Sequence, residues 1–230
     1  SSCNTVEEPF DLTATSNLFV VGREAFRAVG SRGAGDLLLE NNLLVRATSG
    51  TLEVIGWVFA SPTDFTIDLI NNTLIGGQRG LTMNANEATR FVQNNAFVGA
   101  NTYALSVYQT APEYNAFWDN GDLSQHTTLS NTNITTCDPG FPPPPSDPLD
   151  PTFDPTLFIP GPTSCLIDAG DPSPIYNDGP GDRNDIGATG GPGGDDFLAL
   201  FDLDGDGFVG AADCDDADPD IHTGAPDLCN

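Results

Sequence analysis

Four aspartates lie within the twelve residues 202–213. They stand at the first, third, fifth and twelfth positions, from which carboxylates can converge on one hard cation. Gly207 at the sixth position permits a sharp turn, the seventh residue offers a backbone carbonyl, and the ninth commonly acts through a water molecule. The stretch therefore predicts a calcium-binding loop. Its predicted ligands are Asp202, Asp204, Asp206, Phe208, Gly210 and Asp213.

The twelfth position of the loop departs from the EF-hand pattern, in which a glutamate grips the ion with both oxygens. Asp213 has a shorter side chain and resembles the last ligand of dockerin-type and other extracellular calcium repeats. We expect a dissociation constant of about 10⁻⁴–10⁻³ M, as in extracellular modules. The stretch 196–201 predicts one helical turn before the loop, and no long helix is predicted after it. The expected module is EF-hand-like, on a minimal scaffold.

Further aspartates lie on both sides of this loop. Those that follow it predict a second ion, whose ligands are Asp213, Asp216, Asp218 and Asp220. His222 is interpreted as a surface or packing residue, because calcium prefers oxygen ligands. Five carboxylates crowd a Gly/Pro-rich stretch upstream, where a cation, a buried pair with Arg183 or plain turn capping are the open alternatives. The five are Asp168, Asp171, Asp178, Asp182 and Asp185.

The charge of the chain is strongly negative and unevenly distributed. Of 230 residues, 33 are acidic and 7 are basic, so the formal net charge is −26. Residues 137–230 contain 20 aspartates, no glutamate and one arginine. This balance excludes nucleic acid and anionic membrane surfaces as partners. Aspartate next to glycine and proline suits tight turns and hard-cation binding, and a disordered acidic tail is the alternative.

A short motif recurs through the first half: an asparagine, one intervening residue, then two apolar residues. Its copies lie at 40–45, 70–75, 93–98 and 113–118, with a looser copy at 16–21. The asparagines, which are 25, 30, 23 and 20 residues apart, are Asn17, Asn42, Asn72, Asn95 and Asn115. Such spacing predicts solenoid coils with the asparagine at a corner. Asparagine tolerates the left-handed backbone conformation of a corner, and its side-chain amide can hydrogen-bond to the asparagine of the next coil. The apolar residues that follow it are expected to face a narrow core.

The stretches between these motifs predict strands at 52–58, 65–69, 90–92 and 104–108, and at most single helical turns at 23–29 and 87–92. The stretch from about residue 10 to residue 136 therefore resembles the right-handed parallel β-helix family, whose members include pectate lyases. The resemblance implies an all-β fold, a right-handed parallel β-helix in which neighbouring coils share one core. A β-sandwich with coincidental asparagine turns is the alternative, although it would show cleaner alternation of apolar and polar residues.

A proline-rich stretch around 142–145 predicts an extended connector along the side of the solenoid. After it, IDAGDP and DIGA within 164–191 resemble the last coil of bacterial parallel β-helix proteins and imply strands at 165–167 and 185–188. The stretch 202–230 resembles a bacterial secreted metal-binding repeat and, more distantly, thrombospondin type three repeats. The predicted division is 1–136 coils, 137–163 connector, 164–195 terminal coil and Asp-rich cap, and 196–230 calcium module.

Five cysteines show no CxxC spacing, which argues against zinc and thioredoxin-like sites. Proximity within modules predicts the disulfides Cys137–Cys165 and Cys214–Cys229 and leaves Cys3 as the odd thiol. Cysteines combined with a calcium-type composition indicate an extracellular or cell-surface location. No apolar run is long enough to span a membrane, and we expect a mature or excised chain because no signal peptide is visible.

The sequence favours a non-enzymatic protein. Lyases of the β-helix family need a basic residue, but the chain has no lysine and its arginines stand in ordinary contexts. Hydrolases need paired carboxylates, and Asp64 and Asp68 lack further partners in the sequence.

We therefore expect a calcium-binding, extracellular structural protein. The first coil begins close to residue 1 without a capping helix, so end-to-end self-association of β-helix edges into a fibre or surface layer is predicted. A glycan-binding adhesin module is the alternative, and a polysaccharide lyase or hydrolase is a more distant one.

Overall fold

The computed structural model of the protein describes residues 11–21, 24–31, 35–46, 51–57, 65–83, 89–107, 111–179, 182–209, 213–215 and 217–225. These ranges contain fourteen strands and one short α-helix. The strands are β1 (Leu12–Thr15), β2 (Leu18–Val21), β3 (Glu24–Ser31), β4 (Gly35–Glu40), β5 (Leu43–Arg46), β6 (Thr51–Trp57), β7 (Phe65–Ile70), β8 (Thr73–Gly76), β9 (Arg79–Met83), β10 (Thr89–Gln93), β11 (Ala96–Val98), β12 (Tyr103–Val107), β13 (Ala116–Trp118) and β14 (Asp122–Gln125); the helix is α1 (Gly194–Leu198).

The strands form three sheets, and successive strands pass through them in a constant order. Sheet 1 has the order β1-β4-β7-β10, sheet 2 has β13-β11-β8-β5-β2, and sheet 3 has β14-β12-β9-β6-β3. All of these pairings are parallel. Three consecutive strands, one in each sheet, make one repeat. The all-β prediction is confirmed, and none of the helices within the described ranges is long and apolar enough to cross a membrane.

The predicted strands between the asparagine motifs are confirmed as β6, β7, β10 and β12. The single helical turns expected at 23–29 and 87–92 were wrong, since β3 and β10 lie there. Both segments pair with a neighbouring repeat, β3 with β6 and β10 with β7. One turn of helix is unstable by itself because it forms few hydrogen bonds, so pairing with an adjacent strand determines these segments.

A ladder of asparagines connects the repeats, as predicted. Asn42 Oδ1 accepts hydrogen bonds from the backbone N–H and the Nδ2 of Asn17, both at 3.1 Å. The same pair of bonds links each later asparagine to the one before it. The ladder extends one step beyond the sequence motif, to Asn133, which lies 18 residues after Asn115.

The left-handed residue at each corner is the one before the ladder asparagine, which corrects the sequence interpretation. Asn41, Asn71 and Asn94 have φ of 52°, 53° and 58°. Ser16 and Tyr114 occupy the equivalent positions with φ of 54°. The first residue of each asparagine pair therefore makes the turn, and the second bonds between repeats.

Two hydrophobic cores contain the apolar pairs of the motif, and a third, smaller cluster contains Ala96, Ala116, Leu166 and Ile186. The first core receives side chains from all three sheets, for example Leu37, Leu44 and Leu81. The second lies on the other face of sheet 2, where Leu43 and Val45 pack in a cluster with residues from the C-terminal half. The expectation that the apolar residues all face one narrow core was wrong. Sheet 2 is buried on both faces, which favours continuous apolar runs over alternation.

The connector covers part of this second face of sheet 2. Phe158, which is 3% exposed, belongs to the second core, and the partly buried Phe141 and Phe153 pack against it. Pro144 packs against Gly76 and Gly99 from two neighbouring repeats, where a Cβ on Gly76 would lie 2.9 Å from Pro144 Cβ. The connector thus lies along the side of the stacked strands, as the sequence predicted.

The strands predicted at 165–167 and 185–188 are absent, and turns occur in their place. Residues 184–190 instead lie across three repeats. Asn41 Nδ2 donates to Ala188 O at 3.0 Å, Asn71 Nδ2 donates to Asp185 O at 3.0 Å, and Gly187 N donates to Asn94 O at 2.8 Å. These bonds satisfy backbone groups of the crossing segment, so it does not need a strand partner.

The predicted disulfide between Cys137 and Cys165 is confirmed, with the Cα atoms 6.1 Å apart. It joins the start of the connector to the start of the stretch 164–195 that follows it. Cys214 is also disulfide-bonded. Cys229, its predicted partner, and Cys3 lie outside the described residues.

Candidate metal centre

The helix α1 leads directly into the predicted calcium loop. The expected helical turn at 196–201 is present, but it begins two residues earlier, at Gly194. Phe197 is fully buried in the second core, and Phe201 packs against that core from its edge. Backbone bonds from Ala199 N to Asp195 O and from Phe201 N to Leu198 O continue the turn to the residue before Asp202.

Asp202, Asp204 and Asp206 come together as the motif predicted. One carboxylate oxygen from each lies within 4.8 Å of the other two. The two oxygens of Asp202 accept hydrogen bonds from Gly205 N at 2.7 Å and Gly207 N at 3.0 Å. Both glycines have positive φ, 78° and 86°, so this turn suits residues without a Cβ.

Three carboxylate oxygens of the loop are shielded from water and accept no hydrogen bond: Asp204 Oδ2, Asp206 Oδ2 and Asp213 Oδ2. The other oxygens of Asp204 and Asp206 accept from the backbone N–H of Asp206 and Phe208, at 3.2 and 2.7 Å. A carboxylate oxygen without water or a donor is unfavourable, and a hard cation would satisfy it. The donor set therefore fits calcium.

The electrostatics of Asp204 agree with this interpretation. Loss of solvent raises its pKa, and the nearby carboxylates of Asp206, Asp213 and Asp202 raise it further. Like charges that are held together disfavour the ionised form, whereas a divalent cation between them would reverse that effect.

The far side of the loop pairs with the segment that follows it. Asp213 forms an antiparallel bridge with His222, and Cys214 N donates to Ile221 O at 3.4 Å. The ring of Phe208 stacks on that of His222, with centroids 4.1 Å apart. The packing role predicted for His222 is confirmed.

Among the described residues, those predicted to bind a second ion are not gathered as closely as Asp202, Asp204 and Asp206. Asp218 Oδ1 accepts from Asp220 N at 3.2 Å, and both residues are exposed. Gly210 of the first loop and Asp216 of the second lie outside the described residues. Within the described ranges, the only three acidic, histidine or cysteine side chains that gather within 4.8 Å are Asp202, Asp204 and Asp206. The second ion stays a prediction.

Three of the five upstream aspartates, Asp168, Asp178 and Asp185, lie near one another, and most of the five accept hydrogen bonds from turns. Asp178 accepts from the backbone N–H of Asp185, at 2.8 Å, and of Gly191. Asp185 Oδ1 accepts from Asp168 N at 2.6 Å. These contacts are those of turn-capping carboxylates, and a cation at this place stays a prediction.

The remaining groups of this segment are placed as follows. Asp171 accepts from Ser173 N at 2.7 Å and from the side chain of Gln93. Asp182 is exposed. Arg183 donates to Gly170 O at 2.8 Å and Ala169 O at 3.2 Å. The hydrogen bonds of Arg183 thus go to carbonyls rather than to the carboxylate that the sequence suggested.

A second group of acidic residues joins Asp68 to Glu40, a residue that the sequence did not single out. Glu40 on β4 and Asp68 on β7 both point away from the first core, because their neighbours Leu39, Ile67 and Leu69 fill it. Burial raises the pKa of both carboxyl groups, and Asp68 raises that of Glu40 further. The strand register pairs Leu38 with Asp68 and Glu40 with Ile70, which makes the two acids diagonal neighbours.

Other side chains extend this outer face of sheet 1. Asp68 pairs in register with Phe91, whose ring is 48% exposed. The pKa of Tyr176 is raised by burial and by Asp171, Asp68 and Glu40, so its hydroxyl lies near them. Asp64, the partner that the sequence suggested for Asp68, lies outside the described residues. Only the register of β4, β7 and β10 reveals this group.

Comparison with protein-family models, with curated proteins and with solved structures gives no match for this chain.

Proposed function

We propose that the protein is a calcium-binding, extracellular structural protein built on a right-handed parallel β-helix. Support for the β-helix comes from the cycling of consecutive strands through three parallel sheets and from the asparagine ladder. Support for the right-handed sense comes from the general rule that about 98% of parallel crossover connections have it.

The main support for calcium binding is that the loop carboxylates lie close together and that three of their oxygens accept no hydrogen bond. Asp204 Oδ2, Asp206 Oδ2 and Asp213 Oδ2 are buried and unpartnered, while the opposite oxygens of Asp204 and Asp206 are held by backbone N–H groups. The loop would hold the ion through Asp202, Asp204, Asp206 and Asp213 and the Phe208 carbonyl. The bound ion would neutralise the charge of these carboxylates and so stabilise the fold of the loop, which is a structural role.

Isothermal titration calorimetry with CaCl2 tests this proposal. We expect the wild-type protein to bind calcium and Asp206→Asn to bind it at least about tenfold more weakly, because one ligand charge is lost. Asparagine retains Oδ1, which accepts the Phe208 N–H. The matched control is Asp196→Asn, an exposed aspartate on α1. Equal calcium affinity in wild type and Asp206→Asn would remove this loop as the binding site.

Self-association through strand edges is the structural part of the proposal. Among the described residues, β1, β2 and β3 at one end and β10, β13 and β14 at the other each have a strand partner on one side only. β10 and β13 each form an isolated bridge with a residue beyond them, Gln93 with Glu113 and Ala116 with Ile134. At that end the ladder is satisfied, since Asn133 Nδ2 donates to Pro112 O and Ser130 O. Pairing there would therefore use β14.

Sedimentation velocity and electron microscopy, each with calcium and with chelator, test assembly. We expect oligomers or fibres in calcium, and we expect Leu123→Lys on the β14 edge to shift them toward monomer. Leu149→Lys, on an exposed connector residue, is the control. Monomeric wild-type protein in calcium at high concentration would contradict the assembly proposal.

Glycan binding is the second candidate, and the outer face of sheet 1 favours it. An exposed aromatic ring, Phe91, lies beside the carboxyl groups of Asp68 and Glu40. Rings that stack on sugars and carboxylates that accept from hydroxyls are what a saccharide site requires. A glycan array with wild type, Phe91→Ala and the control Leu149→Ala tests this candidate. A hit lost only in Phe91→Ala supports it, and cleavage of the bound glycan would revive the hydrolase alternative.

A further inference from the structure

The calcium loop is joined to the second hydrophobic core without an intervening linker. Phe201, which packs against that core, immediately precedes Asp202, the first predicted ligand. The rings of Phe201 and Phe197 are 5.3 Å apart, and Phe197 is 0% exposed. Asp202 is therefore covalently linked to a residue of a packed aromatic pair.

Asp202 is also the residue around which the loop folds. Its two carboxylate oxygens accept the N–H groups of Gly205 and Gly207. Its neighbours Asp204 and Asp206 bring two more negative charges within 4.8 Å. Without a cation their repulsion favours spreading of the loop, and spreading displaces Asp202. With a cation the same carboxylates hold Asp202 in place.

The element next to the loop is too short to be stable by itself. The helix α1 has five residues, and an isolated helix of this length does not persist in water. Its order depends on the packing of Phe197 and Phe201 in a cluster that includes Leu43 and Val45 of sheet 2. Such an element responds readily to a change at either end.

We propose that calcium binding at 202–213 and the packing of α1 on sheet 2 stabilise each other, so that loss of calcium loosens the cover of the second core. The inference rests on the calcium binding proposed above. By thermodynamic linkage the coupling acts in both directions: calcium protects α1, and packed Phe201 strengthens calcium binding by the same factor.

Hydrogen–deuterium exchange of the full chain, with CaCl2 and with chelator, measures the first direction. The amides of Phe197, Ala199, Leu200 and Phe201 are hydrogen-bonded within α1 and the turn after it, and they report on its opening. We expect calcium to slow their exchange by about 5- to 150-fold, the usual range for coupled sites. Peptides from the loop itself serve as the internal reference for ion binding.

Calorimetry of Phe201→Ala measures the second direction. We expect its calcium affinity to fall by the factor by which calcium slows exchange at α1 in the wild type. Leu200→Ala, at the adjacent exposed position, is the matched control and should bind calcium like the wild type. The wild-type exchange experiment stands by itself if Phe201→Ala does not fold.

The outcomes separate the two proposals. If calcium slows amide exchange in loop peptides but leaves exchange at α1 unchanged, the coupling is overturned and the proposed calcium binding still holds. Equal calcium affinity in a folded Phe201→Ala and the wild type would also overturn it. Absence of any calcium binding by the wild type would overturn the proposed function and the coupling together. Protection of α1 with matched weakening in Phe201→Ala would establish the coupling.

Discussion

The pKa of a single carboxyl group in the crossing segment 184–190 depends on how that segment lies across the repeats. Asp185 is the clearest case, because burial raises its pKa to about 7 and the carboxylates of Asp178 and Asp168 contribute to the increase. The free energy of a shared carboxyl–carboxylate hydrogen bond with Asp178 is available only while one of the two is protonated. The crossing segment is therefore expected to respond to pH.

The sign of this pH dependence follows from proton linkage. Since the pKa of Asp185 is higher in the folded protein than its ordinary value of 3.8, the folded state binds more protons between about pH 4 and 7. The contribution of Asp185 is fully present below about pH 4 and is lost as the pH rises through about 7.

We predict that Asp185→Asn lessens the loss of stability between pH 4 and 7.5 in calcium-free buffer. Asparagine can donate to Asp178 at every pH and can still accept from Asp168 N. Thermal melts across this pH range measure the effect, with Asp182→Asn, an exposed aspartate two residues before the crossing segment, as the control. Parallel pH profiles for wild type and Asp185→Asn would contradict the pKa assignment.

At the residue scale, the sequence predicted some sites and missed others for a physical reason. Asp202, Asp204 and Asp206 are close in sequence, so their spacing alone brings their oxygens together. Glu40 and Asp68 are 28 residues apart and meet only through the register of β4 and β7. Local motifs can be recognised in a sequence, whereas diagonal pairs across strands require the structure.

Among the elements, the asparagine ladder is the main polar connection between repeats. Asn72 is 1% exposed; its Oδ1 accepts from Asn42, and its Nδ2 donates to Leu39 O, Ile70 O and Asn95 Oδ1. Each of these buried groups would lose its partner if the side chain were removed, and an unsatisfied buried group is costly.

We predict that Asn72→Ala lowers the free energy of unfolding by about 3 kcal/mol, because several buried partners are left unsatisfied. Asn17→Ala at the partly exposed end of the ladder should cost less, about 1 kcal/mol, since water can replace the lost bonds. Denaturant titration of both variants measures the difference. Equal losses for the two would show that the interior of the ladder contributes no more than its end.

The same elements show where local patterns were insufficient. The recurring asparagine and apolar residues mark the positions of β5, β8, β11 and β13, because each strand lies directly after a turn with a recognisable composition. They did not show that Leu44 and Leu43 enter different cores, since that depends on what covers sheet 2. The predicted strands at 165–167 and 185–188 failed because that segment crosses the repeats instead of extending one.

For the whole molecule, the uneven charge determines how stability should depend on ions. Residues 137–230 carry 20 aspartates and one arginine, and they also contain the aromatic residues that cover sheet 2. Mutual repulsion of these carboxylates opposes the hydrophobic packing of the same segment. We therefore expect cations to stabilise the cover of sheet 2 more than the three-sheet core.

We predict that chelator loosens the C-terminal half before the strands of the first core. Limited proteolysis in chelator at low salt should cleave within 137–225 while fragments of 11–136 persist. Calcium should suppress this cleavage, and about 1 M NaCl should suppress it partly by screening the charges. Simultaneous loss of both halves, with the same rate in calcium and chelator, would contradict this order.

The sequence by itself predicted the all-β class, the asparagine ladder, the Cys137–Cys165 bridge and the convergence of Asp202, Asp204 and Asp206, because each depends on local composition, on proximity along the chain or on a repeated spacing. Only the tertiary structure decided that sheet 2 is buried on both faces, that the C-terminal segment crosses three repeats, and that Phe201 joins the loop to the second core. Those features depend on contacts between residues that are distant along the chain, and such contacts arise only when the repeats stack.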